Sequence, residues 1–328
     1  MILAASRTLL AAAFAFFVAA GAFANTDPSS VVTLIVPYAT GGGFDVGARR
    51  IQPELAKGLE KTVIVENVTG ASGSIAAQRV LNADPSRLTI LVGSPGEVVL
   101  PPLTLHTVRY KPQDFRLVAM LSTGTFVLLA RPDLPAKNLQ ELIEKAKRAG
   151  DKPLTYGSAG TGSIYHMIGA EFGKRLGVPT THVPYRGISP LLQDMMSGLI
   201  DIAFQPMTPS IVQLAQSGKI KVLAVLAHNR IPALPEAPSA DEIPQLKDFH
   251  HYTIWSGLFV PSSFPKDVAA KIGKAANNVV ATKAYRDWVA ERGSSAGEVM
   301  TLEQAATFYE RETKRFEDLA RDINLIKE

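Results

Sequence analysis

Three segments bring glycines and small hydroxyl side chains together in the way an anion site requires. They are Gly41-Gly42-Gly43-Phe44-Asp45, Asn67 to Ser74 (NVTGASGS) and Gly157 to Ser163 (GSAGTGS). Glycines let a backbone come close to a ligand, and the unpaired N–H groups of a helix's first turn, at the positive end of its dipole, favour a carboxylate. The hydroxyls of Ser72, Ser94, Ser158, Thr161 and Ser163 add groups that both donate and accept. Gly157–Ser163 is the stronger signal, because three glycines and three hydroxyls stand directly before a helical pattern. Gly41–Gly43 alone also fits a plain turn.

Other chemistries fail on spacing. The second loop reads G-x-x-G-x-G and not the dinucleotide G-x-G-x-x-G, and no G-K-[ST] follows any glycine loop, so no nucleotide cofactor is expected. There is no G-x-S-x-G elbow, no H-E-x-x-H and no cysteine, which excludes disulfides, thiolate metal sites and cysteine catalysis. The six histidines, at 106, 166, 182, 228, 250 and 251, show no metal spacing, and no bound metal is expected. His166, one turn into the helix after the second loop, is placed to reach a bound anion; His182 reads as a hydrogen-bonded strand residue and His250-His251 as solvated. Asp45 suits a helix N-cap, with a second role as acceptor for a ligand amine, hydroxyl or water.

The elements that hold these loops follow one rhythm. Val31 to Val36 (VVTLIV) is a β-branched run suited to a strand buried on both faces, and a helix follows from near Asp45, with Pro53 predicting a kink or early break. Thr62–Glu66 and Leu88–Val92 are further strands, with a short helix Ile75–Leu81 between them. Two strands, Leu117–Leu121 and Thr125–Ala130, lead to a helix over Leu139–Arg148 capped by Asn138. Strand Leu154–Tyr156 enters the second loop, and a helix runs from Ile164 to Leu176. Strands Thr181–Val183, Ile200–Phe204 and Val222–Ala227 alternate with helices Ser189–Ser197 and Ser210–Ser217. Asn229–Phe249, dense in proline, reads as an irregular connection before strand Thr253–Val260. Two amphipathic helices close the chain, Pro265–Ala281 and Leu302–Ile323, the latter opened by a Thr301/Gln304 capping box. Strand, loop and helix in alternation predict an α/β fold with parallel sheets flanked by helices, in two domains.

The chain has 328 residues, 46% hydrophobic and 20% charged, which is ample for a buried core and too apolar for disorder. Its net charge of +4 is spread without basic blocks, so no nucleic-acid partner is expected. Arg7, the apolar run Leu9–Phe23 and Ala22-Phe23-Ala24 form an export signal with cleavage expected after Ala24. The run is too short for a membrane span.

The motifs VTLIVPYATGGGFDVGAR, VIVENVTGASGSIAA, LTYGSAGTGSIYH, HVPYRGISPLLQDMMSGLIDIAF and IKVLAVLAHNRIPALPEAPS, in this order, resemble the Bug family. These are extracytoplasmic solute-binding receptors of tripartite tricarboxylate transporters. The resemblance covers nearly the whole mature chain. It implies a two-lobed periplasmic binding protein, type II-like, with a ligand cleft between lobes, no cofactor and no catalysis. Residues 25–121 plus 253–328 would form lobe 1, and 122–252 lobe 2.

By the same resemblance one ligand carboxylate is held through backbone groups and ordered waters at two loops. The matching positions are Tyr38, Ala39, Gly42, Gly43, Phe44 and Asp45 in the first lobe and Ser158, Gly160, Thr161, Gly162, Ser163 and His166 in the second. Ser72, Ser94 and Tyr185 match positions near the cleft, and Arg186 is either a charge partner or a surface residue. Phe204 and Gln205 end a strand where the family often has Asp or another polar residue at 205, so the resemblance implies that Gln205 helps select the distal end of the ligand. The chain departs from the family at Ala39-Thr40, at Phe44 where Thr is common, and at the Asp84–Thr89 turn. Phe44 favours a more apolar or aromatic acid, while an inward Glu97 opposes a second anion or binds a cation. The partners expected are a small organic carboxylate and a membrane permease, with the receptor a monomer. The competing classes are an exported hydrolase or isomerase using Asp45 and His166 as an acid–base pair, and a sensor serving a signalling partner.

Overall fold

The computed structural model describes residues 31–326, except 85, 149–151, 248, 250 and 251. The export segment and the His250-His251 pair lie outside the described residues. The first half is built from β1 (Val31–Val36), α1 (Gly43–Leu59), β2 (Thr62–Asn67), α2 (Ser74–Leu81), β3 (Leu88–Gly93), α3 (Pro95–Val98) and α4 (Leu100–Thr104). The long β4 (Phe115–Ala130) leads to α5 (Leu139–Arg148), β5 (Leu154–Ser158), α6 (Ile164–Leu176), β6 (Thr180–Pro184), α7 (Ile188–Met196), β7 (Ile202–Pro206), α8 (Pro209–Gln216) and β8 (Lys221–Val225). The chain returns through β9 (Thr253–Pro261), α9 (Lys266–Val280), α10 (Lys283–Ala290), β10 (Ser295–Ala296) and α11 (Leu302–Asp322).

Strand order is β2-β1-β3-β9-β4-β7-β5-β6, with β8 and β10 also paired to β4. The outer ladders β1–β2, β1–β3, β5–β6 and β5–β7 are parallel, as the alternating elements predict. The central ladders of β9 with β3 and β4, and of β4 with β7 and β8, are antiparallel. Among the described residues no helix is long and apolar enough to cross a membrane.

Two local expectations are corrected. Leu117–Leu121 and Thr125–Ala130 are one 16-residue strand, because the polar stretch between them stays hydrogen-bonded. Ser122, Thr123, Gly124 and Thr125 face Ser256, Trp255, Ile254 and Thr253 of β9, and the Ser122 and Ser256 hydroxyls are 2.8 Å apart. Pro53 does not end α1, which runs on to Leu59. Its buried face, Ala48, Ile51 and Leu55, shares one core with Val32, Leu34 and Val36 of β1 and with Ile272 and Ala276 of α9. Each such Leu or Ile contributes about 1.5–3 kcal/mol by burial, against about 3 kcal/mol for an interior proline, so tertiary packing outweighs the break.

A second core lies under α7 and α8, with Leu191, Met195, Ala203 and Ile211. A third runs through both ends of β4, from Leu117 to Leu128, and takes in Phe172, Phe204 and Phe316. There Trp255 Nε1 donates to Glu312 Oε2 at 3.0 Å, and Arg315 pairs with the same carboxylate at 2.6 Å, tying α11 to β9. Thr301 and Gln304 form the expected capping box. The short α10, capped by Thr282, is an element the spacing did not predict.

Candidate functional site

The first loop leaves β1 at Val36 and is shaped by Asp45. Helix α1 starts at Gly43 with Gly42 as N-cap and no side-chain cap, so the expectation that Asp45 caps the helix is corrected. Asp45 sits three residues into the turn and its carboxylate reaches back to Gly41 N–H at 2.8 Å. Arg49 Nε donates to it at 3.0 Å and Asn67 Nδ2 at 3.0 Å, while the same amide donates to the Tyr38 carbonyl at 2.9 Å. Burial raises the Asp45 carboxyl, but the hydrogen bonds from Arg49, Gly41 and Asn67 outweigh it and hold the group below its ordinary value. Asp45 is therefore an ionised clamp between the loop and the end of β2. Phe44 packs on Tyr38, their ring centroids 4.8 Å apart.

The β2–α2 and β3–α3 turns lie beside it. Gly70 and Gly73 have φ of +123° and +83°, and Ser72 also has positive φ, so the loop turns through a left-handed backbone. Helix α2 begins at Ser74 without a side-chain cap. Ser94 and Glu97 form a capping box, a pairing that their S-x-x-E spacing announces. Glu97 is fully buried: Tyr38 OH donates to its Oε1, Ser94 N–H and Oγ–H donate to its Oε2 at 2.5 and 2.8 Å, and Tyr110 OH donates to its carbonyl. Burial pushes its carboxyl up to about 7, against the hydrogen bonds from Tyr38 and Ser94. Both oxygens are engaged by Tyr38 and Ser94, so Glu97 is an internal support. Tyr110 and Thr104, which complete this corner, carry no local sequence signal.

The second loop is held by its own hydroxyls and two imidazoles. Ser163 caps α6, accepting from His166 N–H at 3.3 Å and donating to the Gly160 carbonyl at 2.6 Å. Ser158 Oγ donates to the same carbonyl at 3.0 Å and lies 2.6 Å from His182 Nε2. Gly162 N–H donates to His166 Nδ1 at 3.1 Å, which requires that nitrogen unprotonated and places the ring hydrogen on Nε2. His166 and His182 stack at 3.8 Å with 7° between planes, and Tyr156 stacks on His182. Burial, and then the neighbouring His182, push His166 down to about 4, and burial lowers His182 too, so both rings are neutral at neutral pH. Because the Ser163 hydroxyl is spent inside the loop, Ser163→Ala is expected to cost about 1 kcal/mol of stability as a lost cap. Denaturant melts check this, and an unchanged midpoint removes the hydroxyl from the loop's support.

The two loops meet. A Cβ on Gly162, where φ is +75°, would stand 2.3 Å from Thr104 Oγ1, so only glycine permits this approach to α4. Gly160 lies against Ser72, whose hydroxyl is 3.5 Å from the Thr161 carbonyl. Tyr185 hydrogen-bonds Asp194 at 2.8 Å and Ser158 O through its N–H. Arg186 is exposed. Phe204 is corrected: strand alternation turns it into the core against Phe172, ring centroids 5.3 Å apart, and not toward the loops. Gln205, on the opposite face, is 1% exposed, and neither of its amide atoms has a partner. Ala39, Gly43 and Thr161 are exposed at the loop tips.

The family model described as "Tripartite tricarboxylate transporter family receptor" matches residues 47–325. The chain belongs to this family. Among solved structures, MatC (Rpa3494) from Rhodopseudomonas palustris with bound malate is 30% identical, with a TM-score of 0.77, covering 88% of this chain and 98% of that one. The periplasmic binding protein BugD is 29% identical, with a TM-score of 0.78 and coverage of 91% and 99%. R. palustris Rpa4515 with adipate is 27% identical, with a TM-score of 0.79 and coverage of 89% and 97%. The mixed α/β architecture of this receptor is thus that of known periplasmic binding proteins.

Proposed function

We propose that this receptor, exported to the periplasm, captures a small organic carboxylate between its two glycine loops and delivers it to the membrane permease of its transporter. One observation carries the reading. The β2–α2 turn, which opens the uncapped start of α2, lies against the Gly157–Ser163 loop, with Ser72 Oγ 3.5 Å from the Thr161 carbonyl and His166 holding its ring hydrogen on Nε2. Helix N-termini supply N–H groups and a favourable dipole to a carboxylate without a competing counterion. The malate of MatC and the adipate of Rpa4515 fit the same ligand class.

The halves 25–121 plus 253–328 and 122–252 act as lobes joined by β4 and β9, and ligand capture favours their closure through contacts made to both. Catalysis by Asp45 and His166 gains no support from the geometry. Asp45 is bound by Arg49, Gly41 and Asn67, and His166 accepts from Gly162, so neither is poised as a partner of the other.

A thermal-shift screen against mono-, di- and tricarboxylates and aromatic acids tests the reading. A ligand at about 100 times its Kd adds about 2.7 kcal/mol, a rise of about 5 °C, and is recovered unchanged. Conversion of a panel member supports an enzyme instead, and a flat response across all carboxylates sinks the receptor reading.

A further inference from the structure

Gln205 carries two of the four buried side-chain polar atoms that lack a partner among the described residues. A primary amide has an acceptor oxygen and two N–H donors, and burying either unpaired is costly, so such a group in a folded chain marks a missing partner. The ladder register gives its place. Gln205 faces Val127 of β4, and Ala203 pairs with Gly157 of β5, so Gln205 stands level with Ala159, where the second glycine loop begins. It shares a face with Ala203 and Met207, which belong to an apolar core that offers no hydrogen bond. Helix α7, whose Leu191 and Met195 cover that face, starts at the same end of the sheet with Gly187 as N-cap and no side-chain cap.

We infer that Gln205 binds the far end of the captured molecule, and that this end is an uncharged group with a donor and an acceptor side by side, such as a carboxamide. This rests on the receptor reading and adds to it the class of the second ligand group: the ligand is a monoanion. A carboxylate at that end satisfies Nε2 alone and sets its charge against Oε1, whereas a carboxamide pairs with both atoms. Nor do the candidate cations of the second half supply a countercharge on this face: Arg186 is exposed, and His182, with His166 stacked on it, aligns with Tyr156 and Ile202 on the opposite face of the sheet.

Calorimetric titration of the purified protein with matched pairs provides the test: succinate and succinamate, glutarate and glutaramate, adipate and adipamate. In the wild type, the monoamide of the best-fitting length is expected to bind about tenfold or more tightly than its diacid. Gln205→Leu is expected to abolish that preference without lowering the melting temperature, since leucine fills similar space with no unpaired polar atom. Diacids that match or exceed their monoamides in the wild type, or a preference that survives in Gln205→Leu, overturn the assignment and leave the receptor reading intact. If Gln205→Leu does not fold, Gln205→Glu keeps the shape but loses the donor, and unchanged monoamide affinity there overturns it equally. If no member of either series binds the wild type, the assignment fails, while the receptor reading is decided by the wider carboxylate screen.

Discussion

Raising the pH from about 4.5 to about 7 is expected to remove about 3 kcal/mol of stability that Glu97 contributes, read as the difference between wild type and Glu97→Gln because the depressed His166, at about 4, adds stability over the same interval. The carboxyl of Glu97 is fully buried, and the titratable groups facing it are Tyr38, Tyr110 and Tyr165, none of them a cation. Its ordinary value is 4.5 and burial takes it to about 7 in the fold. Between those values the folded chain holds the proton and the unfolded chain does not, so each rise in pH favours unfolding. Below about 4.5 both states are protonated and the contribution is fully present; above about 7 both are ionised and it is lost. At 1.36 kcal/mol per pH unit across the interval the effect reaches the stated size.

Asp45 acts in the other direction and in a separate window. Its value in the fold is depressed, so its contribution is present above its ordinary value of 3.8 and is lost only in more acid solution. Urea melts of wild type and Glu97→Gln from pH 4 to 8 separate the two. A difference between the proteins that stays constant across that range would show that Glu97 is not the titrating group.

Gly162→Ala is expected to weaken carboxylate binding by about thirtyfold, the equivalent of about 2 kcal/mol. The added Cβ meets Thr104 at 2.3 Å from Oγ1 and 2.9 Å from Cβ, and Thr104 is held in place by its bond to the Leu100 carbonyl at 2.9 Å. The φ of +75° adds strain for any residue with a Cβ. The clash is relieved by moving the second loop away from α4, which separates the two sides of the site and opposes closure. Thr104→Ala removes the nearest atom and is expected to restore much of the affinity in the double variant. Equal affinity in Gly162→Ala and wild type, or a loss that Thr104→Ala leaves untouched, rejects contact at this point as part of capture.

Much of the framework was legible because its causes are local. Val31–Val36 reads as a doubly buried strand and forms one, and the Asn138 and Thr301 caps each reveal a helix start through an amide or hydroxyl three residues from the N–H it accepts. Helix α10 escaped notice because it is only eight residues long and its Thr282 cap stands in a segment with no proline or glycine to mark a boundary. The polar Ser122–Thr125 stretch looked like a break because its partners on β9 lie more than a hundred residues away.

The sequence by itself determined that three loops rich in glycine and hydroxyl or amide side chains lead into helices, since glycine freedom, hydroxyl donors and first-turn N–H groups depend on neighbours along the chain. Only the tertiary structure decided what each polar side chain is free to do. Asp45 became a support because Asn67 reached it from the end of β2, and Glu97 was buried in a corner shared with Tyr38, Tyr110 and Tyr165 from three other segments. Strand alternation sent Phe204 into the core and left Gln205 buried with no partner of its own. Burial and pairing are set by contacts distant in sequence, and no spacing along the chain encodes which of two adjacent residues will be left with an unspent hydrogen bond.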